Sequence, residues 1–269
     1  MTEIRSYKEL SDERKRTKQK IETDFKEKLM VVRQAIEDSF WLNSMITEEL
    51  LRQYEQTGTK LEGPSTMPPL LYDRNCHYLW ASFELISIGM NNPCLATLRP
   101  VYEGILHIYI FHLTRREGEL LYKEYVGVLT PEEEKEFRGK YKRLSPSTIR
   151  RILYSDKTRK WFDKFYGIIS AASHATIREL IGDQQYKAEV TEDRLNVLLG
   201  LCFSNMLAIN EVYFENIFDK RKEEIVPKLE NILDEIKAVP NIVPDNPEFS
   251  NAIRIKVRLQ NGIAVGLTY

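Results

Sequence analysis

Three polar residues at helical spacing, Ser170, His174 and Arg178, stand in the segment YGIISAASHATIRELIGD over 166–183. At i, i+4 and i+8 they form one stripe on a helix. The apolar face of that helix carries Trp161, Phe165, Ile169, Ala172 and Leu180, and only Gly167 and Ala171 lie beside the stripe. Ser170 and His174 are close enough for a hydrogen bond, the first contact of a nucleophile and its base, but no Gly-rich elbow or oxyanion loop accompanies them. A second stripe, Arg99, Glu103 and His107, repeats the spacing among Val101, Leu106, Ile108 and Ile110. A charge on a buried helix needs a partner. Two readings stay open: Arg99–Glu103 is a structural ion pair, or Glu103 is a base or ligand facing His174. Arg74, His77 and Glu84 form a third polar set, which either fixes packing register between helices or joins the others in one pocket.

Other chemistries find little support. Glu103 and His107 are spaced Glu-x-x-x-His, whereas carboxylate-bridged bundle sites use Glu-x-x-His. Cys76, Cys94 and Cys202 are scattered, with no CxxC pair, which suits reduced thiols rather than a zinc site or a disulfide framework. Neither a P-loop nor GxGxxG occurs. No metal and no cofactor are expected. A basic run is more suggestive. Arg138, Lys140, Lys142, Arg143, Arg150, Arg151, Lys157, Arg159 and Lys160 are interleaved with Tyr141 and Tyr154, and Asp156 is the run's only acid. Such a run either tracks phosphates, with Arg150, Arg151 and Lys160 as contacts, or is a solvated face.

These residues need helices to place them. Residues near 5–56 keep helical apolar spacing without Gly or Pro, and Gly58–Pro69 breaks the pattern. Helices follow near 72–90 and 95–113, the latter with Pro100 inside it as a kink. Thr130-Pro131 with Glu133, and then Ser145-Pro146, are N-terminal cap signals. The segment bearing His174 starts near Asp156 and stops at Gly182. Another helix opens at Thr191-Glu192-Asp193 and runs to about 218, apolar nearly all round and therefore central. An acidic helix to about 237 and a Pro- and Asn-rich linker complete this part. The period then changes to two: Ile253, Ile255, Val257 and Leu259 alternate with Arg254, Lys256 and Arg258, and Ile263 to Tyr269 alternate likewise. A Gln260-Asn261-Gly262 loop pairs Leu259 with Ile263 and puts every apolar residue on one face. A lone hairpin is marginal in water, so that face must dock on the bundle or a partner. The expected organisation is an all-α multi-helix bundle with a C-terminal β-hairpin: a long N-terminal helix over 1–60, a bundle over 70–238 and the hairpin over 251–269.

The segments LRPVYEGILHIYIF (98–111) and YGIISAASHATIREL (166–180) together resemble a group of uncharacterised prokaryotic all-helical proteins. These carry an Arg-x-x-x-Glu helix and, about a helix pair later, a Ser-x-x-x-His helix. That group is similar to the HEPN superfamily (higher eukaryotes and prokaryotes nucleotide-binding), many of whose members are RNases or toxin and defence components that dimerise. The resemblance covers roughly residues 70–218, with Arg99, Glu103, Ser170 and His174 at the matching positions. The chain departs from the catalytic HEPN pattern of Arg, four to six residues, then His: Arg99 to His107 is too long and Arg74 to His77 too short. The resemblance therefore does not imply nuclease activity.

Three functions follow as expectations. The first is a HEPN-like defence or regulatory protein binding nucleic acid or a nucleotide through Arg99, His107, Ser170, Arg178 and the basic run. The second is a non-enzymatic dimeric scaffold whose buried polar residues are structural. The third is a helical-bundle enzyme using Glu103 and His174. Lys plus Arg total 39 against 40 for Asp plus Glu, so net charge exerts no overall pull on nucleic acid or membrane. The first twenty residues are dense in mixed charge and resemble no secretory signal, and no apolar run is long enough to span a bilayer. A cytoplasmic protein without membrane contact, forming a homodimer, is expected.

Overall fold

A computed structural model describes residues 7–58, 63–153, 156–171, 188–213, 219–237, 255–259 and 263–267. The helices, in chain order, are α1 (Tyr7–Asp24), α2 (Lys26–Thr57), α3 (Met67–Ser87), α4 (Asn91–Leu113), α5 (Arg115–Val126), α6 (Pro131–Gly139), α7 (Pro146–Leu153), α8 (Asp156–Ala171), α9 (Ala188–Tyr213) and α10 (Asp219–Lys237). Beyond them, β1 (Ile255–Leu259) and β2 (Ile263–Leu267) pair antiparallel, with Leu259 opposite Ile263 and Val257 opposite Val265. Loop 260–262 and the hairpin's side chains lie outside the described residues.

α4 is the central element. α3 packs along it, α9 lies against both, and α5, α7 and α8 lie against its other sides. Its sequence dictates this position: Leu98, Val101, Leu106, Ile108 and Ile110 have no exposure at all. Each such side chain contributes about 1.5–3 kcal/mol by leaving water. α9 is buried nearly all round, from Leu195 to Asn210. α2 packs against α3 and α9, and α10 against α9 and α2.

Several boundaries differ from the sequence expectation for physical reasons. The long N-terminal helix is two helices, because Phe25 leaves helical geometry at φ −126°, ψ 26°. The hydrogen-bond ladder passes through it, Phe25 N–H reaching the Ile21 carbonyl and Leu29 N–H the Phe25 carbonyl, so the chain bends without ending. The α3–α4 turn is tight at Gly89, where φ is +80° and a Cβ would come within 2.6 Å of the Thr17 methyl. Only glycine lets α1 lie there. α5 was not anticipated; Gly127 stops it in the left-handed region. α6 begins as its residues predict. The Thr130 hydroxyl accepts from Glu133 N–H, and the Glu133 carboxylate accepts from Thr130 N–H. Thr191 does not cap α9. The helix starts at Ala188, and the buried Thr191 hydroxyl instead accepts from the Asn91 side-chain amide at 3.4 Å.

Candidate functional site

The Arg99–Glu103 stripe of α4 faces α8 at Tyr166. Arg99 Nε donates to Glu103 Oε1 at 2.9 Å, and the Tyr166 hydroxyl of α8 donates to the same oxygen at 2.9 Å. Glu103 thus joins two helices through one atom. The pair is neither sealed nor on open surface: the Arg99 side chain is 30% exposed and that of Glu103 28%. Partial burial and the Glu103 bond hold the Tyr166 phenol above its ordinary pKa, so it stays a donor at neutral pH. The Glu103 hydrogen bond in turn raises Arg99.

Arg150 lies behind this pair. α7 turns its guanidinium inward, to 4.6 Å from the Tyr166 ring centroid, while Arg99 sits 5.7 Å from the same ring. Both are within cation–π range. Arg150 Nε donates to Asp163 at 2.7 Å. Tyr102, on α4, packs against Phe162, Phe165 and Tyr166. Burial pushes its hydroxyl pKa up against the opposing pull of Arg150. Arg150 acts electrostatically on the Tyr102 hydroxyl, and that hydroxyl and Arg150 Nη1 are both buried without a hydrogen-bond partner among the described residues.

One turn further along α4, His107 Nδ1 lies 2.9 Å from the Tyr125 hydroxyl of α5. Burial first, and Arg74 second, push His107 down to about 4, so the imidazole is neutral at neutral pH. Arg74 Nη2 donates to the Pro100 carbonyl at 3.2 Å, and its buried Nε has no partner among the described residues. Gly104 makes this approach feasible. A Cβ there would fall 2.7 Å from both Arg74 Nη2 and Asn75 Nδ2. Asn75 donates in turn to Asn205 Oδ1 on α9 at 2.9 Å.

The other anticipated residues separate. Ser170 lies one turn beyond Tyr166 and within its hydrogen-bonding reach. His174 and Arg178 lie outside the described residues. Arg151 and Lys160 are exposed, with Arg151 bonded to Thr148 Oγ1. Arg150 does not belong with them on a surface. It is only 3% exposed, because Asp163 and the Tyr166 ring hold it inside. His77 and Glu84 are exposed and do not join Arg74. No group of three His, Cys, Asp or Glu side chains poised for a metal occurs among the described residues. Tyr102, Asp163 and Tyr166 were not singled out from the sequence. The signal was there: Asp163 and Tyr166 are i, i+3 on the helix that carries Ser170, so they share its polar edge.

The cluster sets Arg74, Arg99 and Arg150 against Glu103 and Asp163, three fixed cations to two carboxylates, with His107 neutral. Glu103 Oε1 already accepts two bonds, which weakens it as a base. The arrangement favours holding an anion over removing a proton. None of the described helices is long and apolar enough to cross a membrane. No protein-family model, curated protein or solved structure matches the chain.

Proposed function

We propose that the chain is a HEPN-like helical bundle that binds a nucleotide or single-stranded nucleic acid in the cytoplasm, in a defence or regulatory role. The observation that carries this reading is the bracketing of Tyr166 by two guanidiniums, one of them 30% exposed, in a cluster with an excess cation. Guanidinium groups match phosphate oxygens in geometry as well as charge. Arg151 and Lys160, both exposed, add cationic charge on α7 and α8, the helices that carry Arg150 and Tyr166. Catalysis through Glu103 is not part of the proposal.

The test is a titration of a labelled single-stranded oligonucleotide and of a mononucleotide at low salt. Arg99→Ala should weaken binding. The pair Arg151→Glu, Lys160→Glu should both weaken it and flatten its salt dependence, by about 0.7 for each phosphate no longer neutralised. An intact protein that binds neither probe at low salt would overturn the reading.

A second reading, a dimeric scaffold, draws on the closed polar links between helices far apart in sequence, Asn75 with Asn205 and Asp38 with Lys228. On that reading the hairpin's apolar face docks on the bundle or a second copy, and deleting 252–269 would abolish a dimer seen by light scattering.

A further inference from the structure

Between α6 and α7 the chain turns through Lys142, Arg143 and Leu144, whose φ angles are 46°, 56° and 45°. They are the only non-glycine residues with positive φ among those described. Each L-residue held there costs about 1–2 kcal/mol. Part of the compensation is evident. Tyr141 and Leu144 are buried, and Leu144 N–H donates to the Tyr141 carbonyl at 2.8 Å. Nothing comparable holds Lys142 and Arg143. Both side chains are exposed, and neither backbone N–H has a partner among the described residues. Among the described residues the Arg143 guanidinium approaches only Glu134, at 3.8 Å, and that carboxylate is already engaged by Arg138.

Tyr141 is right-handed, at φ −98°, ψ −3°, and Lys142 is left-handed. This alternation turns consecutive N–H groups toward one side and forms a concavity that accepts anions. We propose that the Tyr141–Lys142–Arg143 turn is a phosphate-binding nest. The N–H groups of Lys142 and Arg143 donate to phosphate oxygens, and their side chains supply charge. Two adjacent donors flanked by two cations suit a tetrahedral dianion better than a carboxylate, which offers two oxygens and one charge. The burial of Tyr141 and Leu144 holds the turn in this shape without a ligand, so the two donors are preorganised. The nest shares no residue with the Arg99–Glu103–Tyr166 cluster, so either site can fail alone.

Amide NMR of the full chain tests it. Inorganic phosphate should move the amide signals of Lys142 and Arg143 saturably, and chloride at equal ionic strength should not. Signals that stay still, or move equally in chloride, would overturn the proposal. A nucleoside monophosphate that saturates the shift at lower concentration than a dinucleotide supports a terminal phosphate dianion as the ligand; equal concentrations would overturn the preference for a dianion. Lys142→Gly relieves strain and keeps the N–H, so the shift should persist with weaker affinity. Glu134→Gln releases Arg143 and should tighten phosphate about threefold. No tightening, together with loss of the shift in Lys142→Gly, would show that the backbone is not the donor.

Discussion

Between α5 and α6, Glu133 accepts from Lys123 at 2.5 Å and lies 3.6 Å from Arg116, which also reaches Glu136 at 2.5 Å. Between α4 and α8, Glu103 joins Arg99 and Tyr166, while a buried nitrogen on each of Arg150 and Arg74 has no partner among the described residues. Both regions are built from acids and guanidiniums on neighbouring helices. In the first, cations and acids answer one another and the helix cap shares the same carboxylate. That region has the form of a brace between two helices. In the second, donors exceed acceptors in a place that water reaches only in part. Unused donors in such a place are where a ligand gains most, because an unpaired buried donor already bears the loss of its water.

The largest effect is expected from disturbing what brings the second region together. Gly104→Ala forces a methyl group into Arg74 and Asn75. Overpacking of this kind should lower stability by about 2–3 kcal/mol in urea unfolding. A variant as stable as the wild type would show that the Arg74 and Asn75 side-chain ends move aside freely, and the cluster would lose its claim to a fixed geometry.

Acidity separates the regions next. Burial depresses His107 to about 4, below its unfolded value near 6.5. The unfolded chain therefore binds the proton first, and stability falls as pH drops from about 6.5 toward 4. Burial lowers His112 as well, so both contribute in that window. The Lys123 hydrogen bond, followed by the Thr130 N–H, holds Glu133 below its ordinary range. Its contribution is present above the unfolded carboxyl pKa and is lost only as pH falls through the lower folded one. Thermal melts of His107→Gln and Glu133→Gln across pH 3–7 should change in different windows. A His107→Gln melt that keeps the full loss between 6.5 and 4 would assign it to His112 or elsewhere.

The smallest effect is expected at Glu103 itself. If it were sealed, removing it would strand a buried cation at a cost of about 3–5 kcal/mol. Its exposure and that of Arg99 reduce the expectation for Glu103→Ala to about 1 kcal/mol, measured against wild type in the same urea series. A loss of several kcal/mol would move this pair into the structural class.

Much of the helical frame could be read along the chain, because it depends on local signals. The apolar pattern around Leu98 and Ile108 marks a buried α4, and Thr130-Pro131 with Glu133 marks the start of α6. What escaped depends on distance. Arg150 sits in a basic run and looks solvated; its burial follows from Asp163 on the next helix and from Tyr166 beside it. Tyr166 reads as one aromatic among many, and only its meeting with Glu103, 63 positions earlier, gives it a role. The left-handed turn at 142–144 has no glycine or asparagine to announce it, since the burial of Leu144 and Tyr141 selects it.

The link between Asp38 and Lys228 spans 190 positions, and that between Asn75 and Asn205 spans 130. A ribosome adding about 5–20 residues per second releases α2 roughly 10 to 40 seconds before α10 exists to close on it. Until α9 emerges, late in that interval, the apolar edges of α2 and α3 that await it stay uncovered. The nascent chain has to be sheltered or held at low concentration, and its yield on expression should depend more on chaperone supply than on the stability of the finished bundle.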